Sequence, residues 1–227
     1  MSELLFYGLT FLTLIISSLS QAYINSTYRK YNKVNNKCGM KGSDVARKIL
    51  DDNGLNNVEV VEVQGYLSDH YDPSAKVVRL STTNYSEETI SAVSVAAHEC
   101  GHAIQDKNNY TFLRFRASLV PLVSFSSYMG YFAIMVGCIT GIFGLIRIGI
   151  LLECVILLFQ VITLPVEIDA SRRALNELKE KNYLSEDEYP KGKKVLTAAA
   201  LTYVAGVLSA IVQVIRLILM YGRRNEK

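Results

Sequence analysis

Three apolar blocks, together long enough for four spans, set the limits on what this chain can fold into. Residues 4–24 (LLFYGLTFLTLIISSLSQAYI) carry no charged side chain, and roughly 20 apolar residues suffice to cross a bilayer as a helix. Residues 119–166 form an apolar stretch of about 50 residues, too long for one crossing and enough for two with a tight turn between them. That turn is expected at residues 144–149, which hold Arg147. Residues 195–221 make the last block. A soluble domain of 227 residues can bury a real core, so length alone does not require a membrane. The segregation of the hydrophobic half of the chain into blocks does. A cleaved signal peptide competes for the first block. No Lys or Arg precedes that block, however, and Glu3 stands where a positive n-region belongs. The expected class is therefore mainly α and multi-span: a first transmembrane helix over 1–24, a polar region over 25–118, two helices over 119–166, a polar segment over 167–194, and a fourth helix with a tail over 195–227.

The polar regions carry weaker periodicities. Val45, Ala46, Ile49 and Leu50 recur at helical spacing within residues 42–52, and Gly54 follows as a C-cap. Residues 58–63 (VEVVEV) and 76–81 (KVVRLS) read as strands, the second preceded by the turn-like Tyr71-Asp72-Pro73-Ser74. Asn84 or Ser86 is placed to cap the next helix, with Glu87 and Glu88 in its first turn. That helix runs through Ile90, Val93 and Ala97 to about Gln105. The net charge is only +3, with no basic stripe interleaved with aromatics, which argues against a nucleic-acid partner. The four cysteines make no CxxC pair, which argues against a zinc ribbon and a disulfide framework. Cys100, Cys138 and Cys154 read as small packed hydrophobes.

The chemistry is concentrated in His98-Glu99-Cys100-Gly101-His102. Histidines at i and i+4 lie on one helix face, one turn apart, so two imidazoles can share one zinc ion. Glu99 follows the first ligand, where it can serve as general base toward a water in the open coordination position. The chain has three histidines, and two of them fall here. Catalytic zinc needs a third protein ligand. Glu167 stands at the end of an apolar run, where a carboxylate is costly unless something pairs with it, and a metal does so. A solvated helix end is the competing reading. His70, beside a turn, fits a ligand, a transition-state hydrogen-bond donor or a polar loop residue. The expected assignment is His98, His102 and Glu167 on Zn2+, with Glu99 and His70 catalytic.

The chain resembles the membrane-bound neutral zinc metallopeptidases often called YugP-like. The resemblance rests on Asp69-His70-Tyr71-Asp72-Pro73, on Val78-Arg79-Leu80-Ser81, on Ala96 to Gln105 (AAHECGHAIQ) and on Leu164 to Leu175 (LPVEIDASRRAL). It also looks like a small version of the gluzincin arrangement of HtpX-type membrane proteases. That likeness implies a small α+β gluzincin-like catalytic domain facing the cytoplasm at a bacterial plasma membrane, Glu167 as ligand, and protein or peptide substrates. Gluzincins usually carry an Asp four positions after the Glu ligand, to orient a zinc-bound His. Here that position is Ser171, on the Glu167 face of a helix, and the acid is Asp169, nearly opposite. Ser171 can accept an imidazole N–H, and Asp169 can pair with Arg172 or Arg173.

Four spans put both termini on one side. The positive-inside rule favours a cytoplasmic location for 25–118 and 167–194, while Arg223, Arg224 and Lys227 pull the other way. The leading function is an endopeptidase acting on membrane or membrane-proximal proteins. A zinc-stabilised scaffold without turnover competes, and has no need of Glu99. A transporter also competes, on Glu153, Gln160, Gln213 and Arg216 within apolar blocks, residues that pairing between helices would equally explain. The oligomeric state is not legible in the sequence.

Overall fold

A computed structural model describes residues 3–221. Arg223, Arg224 and Lys227 of the basic tail lie outside the described residues. The elements run α1 (Glu3–Tyr31), α2 (Gly42–Asp52), β1 (Glu59–Val63), β2 (His70–Asp72), β3 (Val77–Ser81), α3 (Thr82–Ser86), α4 (Ile90–Lys107), α5 (Thr111–Thr140), α6 (Phe143–Glu180) and α7 (Tyr189–Tyr221). The chain is mainly helical, and α1, α5, α6 and α7 are long and apolar enough to cross a membrane.

Two compact units divide the chain. The first takes residues 1–21, 115–164 and 202–227; the second takes 22–114 and 165–201. In the first, α5 and α6 meet along small residues. A Cβ on Gly149 would come within 2.4 Å of Ile134 and 2.8 Å of the Gly130 carbonyl, and one on Gly137 within 2.6 Å of Ile146. Arg216 donates to Thr10 Oγ1 at 2.7 Å, and also to Gln213, and lies over the Phe6 ring. This is the interhelical pairing that intramembrane polar groups require. Cys138 is exposed, its Sγ 3.0 Å from the Tyr221 hydroxyl, rather than packed within the unit.

The second unit holds the sheet, in the order β1-β3-β2, with β1 parallel and β2 antiparallel to β3. Its core joins Val45, Ala46, Ile49 and Leu50 of α2, Val78 and Leu80 of β3, and Val93, Ala97 and Cys100 of α4 to Ala174 and Leu178 of α6. The α2 stripe predicted by periodicity is fully buried.

Three local expectations are corrected. The cap of α4 is Thr89, whose Oγ1 accepts the Ala92 N–H at 3.2 Å. Asn84 and Ser86 belong instead to the short α3, which ends before Glu87 and Glu88. The break between α5 and α6 falls at Gly141, whose φ of 73° glycine adopts at no steric cost, and residues 144–149 are helical. The Asp69–Pro73 segment contributes a strand, β2, as well as a turn.

Candidate metal centre

The site grows from one face of α4. Its buried residues include Ala96, Ala97, Cys100, Gly101 and Ala103, small side chains that let a neighbour approach closely. That neighbour is α6. A Cβ on Gly101 would lie 2.5 Å from the Ala170 carbonyl oxygen, so only glycine permits this separation. On α6, Val166, Ala170, Ala174 and Leu178 are fully buried at i, i+4 spacing, and Glu167 and Ser171 share the adjoining stripe.

The close approach brings three metal-ligating groups together. Among the described residues, His98, His102 and Glu167 form one such group, with one ligand atom from each lying within 4.8 Å of the others. Glu167 Oε2 stands 3.2 Å from His98 Nε2 and 3.4 Å from His102 Nε2. The imidazoles are nearly perpendicular, 81° between planes with centroids 4.8 Å apart. The side chains are 13%, 11% and 2% exposed for His98, His102 and Glu167.

Two nitrogens and a carboxylate suit zinc. Ligands about 2.0–2.1 Å from a tetrahedral zinc stand about 3.4 Å from one another. The His98–Glu167 and His102–Glu167 separations therefore already match a shared ion, and the donor set fits the metal.

Glu99 lies beside this group and is 7% exposed. Burial pushes its carboxyl above the ordinary range, and Asp69 and Glu167 push the same way, against the opposing pull of His98 and His102. Cys100 points into the core, its Sγ 3.5 Å from the Ala46 carbonyl, where burial raises the thiol well above its usual pKa.

His70 is not a member of the group. It is exposed on β2, with Nδ1 2.8 Å from the Ser68 carbonyl and Nε2 3.5 Å from Arg79. Its neighbours anchor the fold. Asp69 accepts from Ser81 N at 2.7 Å and from Asn84 Nδ2 at 2.9 Å; Tyr71 donates to Asp106 at 2.8 Å; Arg79 meets Asp72 at 2.7 Å.

Behind the imidazoles the arrangement is unequal. Ser171 Oγ is 3.2 Å from His98 Nδ1. His102 Nδ1 is 3.0 Å from Gln105 Oε1, and Gln105 Nε2 donates to the Val166 carbonyl at 2.8 Å and to Asp169 Oδ2 at 3.0 Å. Asp169 also pairs with both Arg172 and Arg173. Gln105 escaped the sequence reading. Its one signal was its place three residues after His102, on the same helix face.

Four helices long and apolar enough to cross a membrane and a His2Glu group able to hold a metal are the features of a membrane zinc peptidase. The chain matches the family described as "Putative neutral zinc metallopeptidase" over residues 6–222, and it belongs to that family. A Bacillus subtilis (strain 168) protein described as "Putative membrane protease YugP" is 41% identical over 218 residues, covering 96% of this chain and 97% of that protein. No solved structure matches the chain.

Proposed function

We propose that the protein is a zinc endopeptidase that cleaves membrane or membrane-proximal proteins, with His98, His102 and Glu167 as the metal ligands and Glu99 as the general base. The observation that carries this reading is the separation of 3.2 Å and 3.4 Å between Glu167 Oε2 and the Nε2 atoms of His98 and His102, close to that of two ligands on one tetrahedral zinc. Zinc, when bound, supplies Lewis acidity toward a water and toward the scissile carbonyl. Glu99 takes a proton from the attacking water and returns it to the leaving amine, and burial raises its carboxyl above the ordinary range, which makes it a stronger base than an exposed glutamate. Glu167 would offset the charge of a metal held with the two imidazoles. His70 is proposed as a hydrogen-bond donor to the developing oxyanion. Its ring nitrogens contact the Ser68 carbonyl and the Arg79 guanidinium.

Residues 25–118 and 167–194 are proposed to supply a gluzincin-like catalytic domain on the cytoplasmic side of a bacterial plasma membrane, because their Lys and Arg residues cluster beside the spans. Glu167 follows the apolar stretch 119–166 directly in the sequence, which favours substrates held near the bilayer.

The deciding experiment is peptide cleavage by the purified, detergent-solubilised protein, comparing wild type with Glu99→Gln after both are shown to hold zinc. The variant is expected to lose about 10²–10⁴-fold in rate while keeping the metal. Equal cleavage by the two proteins would overturn the mechanism. Zinc binding without cleavage by either would favour the scaffold.

A further inference from the structure

We infer that Gln105 and Asp169 form a relay that keeps the hydrogen of His102 on Nδ1 and so reserves its Nε2 for a metal. Both act as positioning residues, and the inference rests on the proposed ligand set of His98, His102 and Glu167.

Gln105 is fully buried on α4. Its amide carries one acceptor oxygen and a nitrogen with two donor hydrogens. That nitrogen faces two groups at once, the Val166 carbonyl at 2.8 Å and Asp169 Oδ2 at 3.0 Å. A backbone carbonyl only accepts. Asp169, held by Arg172 and by Arg173 Nε at 2.6 Å, is an ionised carboxylate and also only accepts. Turning the amide over would set its oxygen against two acceptors and leave buried groups unpaired, a costly arrangement. The orientation of the amide therefore follows from its neighbours, which is the sound basis for assigning one.

The amide oxygen then faces His102 Nδ1 at 3.0 Å. Because that oxygen only accepts, Nδ1 must carry the hydrogen. In the neutral ring the lone pair sits on the other nitrogen, Nε2. That is the atom 3.4 Å from Glu167 Oε2. A His102 that gives up its Nε2 hydrogen is thus left in the metal-binding tautomer, its Nδ1–H held by a chain that ends in a carboxylate and two guanidinium groups.

His98 has no such lock. Its Nδ1 faces the Ser171 hydroxyl at 3.2 Å, and a hydroxyl rotates to donate or accept as required. The second acid missing from the position of Ser171 is supplied on the other histidine, through an amide.

The test uses the full-length protein in detergent. With three histidines in the chain, the imidazole signals of a ¹⁵N-histidine sample are few enough to assign. In the metal-free and in the zinc-loaded wild type alike, His102 Nδ1 is expected to carry a hydrogen. A dominant Nε2–H tautomer would overturn the relay, whether or not the protein binds zinc. The second readout is zinc affinity by chelator competition. Gln105→Met keeps the volume and removes both hydrogen-bonding functions. It is expected to weaken zinc by about 10–100-fold, the usual effect of losing a ligand's supporting partner, with a smaller loss for Ser171→Ala. Unchanged affinity in a Gln105→Met protein with wild-type Tm would also overturn the relay. A wild type that binds no zinc would remove the metal reading alone, and the tautomer measurement would still decide the relay.

Discussion

Taking a carboxylate out of water costs several kcal/mol unless charge, hydrogen bonds or a metal compensate. Glu167, 2% exposed, meets this condition through His98 and His102, and it should matter more to metal binding than any supporting residue. Replacing it with Ala is expected to weaken zinc by more than the about 10–100-fold typical of a lost supporting partner. A titration showing less would remove Glu167 from the ligand set. The same contact sets a pH signature. Burial alone would push His102 below its ordinary pKa, but the hydrogen bond and charge of Glu167 outweigh it and hold the imidazole above. A group raised on folding contributes stability that is fully present below its unfolded pKa, about 6.5 for His, and is lost as pH rises through the folded value. Zinc reverses the sign, because its ligands must be deprotonated. Metal-free protein should therefore lose Tm as pH climbs from about 6.5, whereas zinc-loaded protein should gain it. Parallel Tm curves with and without chelator would contradict this coupling of His102 to Glu167.

At the level of elements, the site depends on how close α6 comes to α4. Gly101→Ala places a Cβ against the Ala170 carbonyl, and a backbone cannot swing aside as a side chain can. Overpacking of this kind costs about 1–3 kcal/mol. It should appear as a lowered Tm together with weaker zinc binding, since the helix it displaces carries Glu167. Wild-type values for both would mean that the two helices separate without consequence. Thr89→Ala removes the cap of the same α4 and is expected to cost about 1 kcal/mol, measurable by denaturant unfolding. These two residues also mark where sequence reading succeeds and fails. The histidine pair was legible because i, i+4 spacing is local to one helix, and the α2 stripe because its period is intact. The cap was misplaced because Glu87 and Glu88 imitate first-turn acids, although the chain at Glu87 is extended. β2 was hidden because three partly exposed residues, His70 to Asp72, have no period of their own and are ordered by β3. Gln105 and Gly101 carry meaning only through what α6 sets against them, and no pattern within α4 reveals that partner.

Over the whole molecule, the apolar blocks were the most legible feature, since uncharged length is all that a bilayer demands of a helix. Their ends were less so. α6 continues to Glu180 and α7 begins at Tyr189, because helical hydrogen bonding does not stop where hydropathy does. The helix count carries the topology. Should all four candidate helices cross, residues 25–118 and 167–194 would share one face, and these segments carry Arg29, Lys30, Lys33, Lys37, Arg172, Arg173, Lys191, Lys193 and Lys194 near the helix ends. Against them stand Arg147 and the basic tail. Orientation follows Lys and Arg counted close to the spans, so the first set should face the cytoplasm. Cys38 reports on it directly. It belongs to the polar segment after α1 and is exposed, although its Sγ reaches Asn36 Oδ1 at 3.0 Å. In a protein whose other three cysteines are replaced by Ala, a membrane-impermeant maleimide should leave Cys38 unmodified in intact cells and label it in inverted membrane vesicles. Labelling in intact cells would place the His98–Glu99–His102 helix outside the cytoplasm. Its substrates would then be sought among exported segments, and the basic tail would be the better guide to topology.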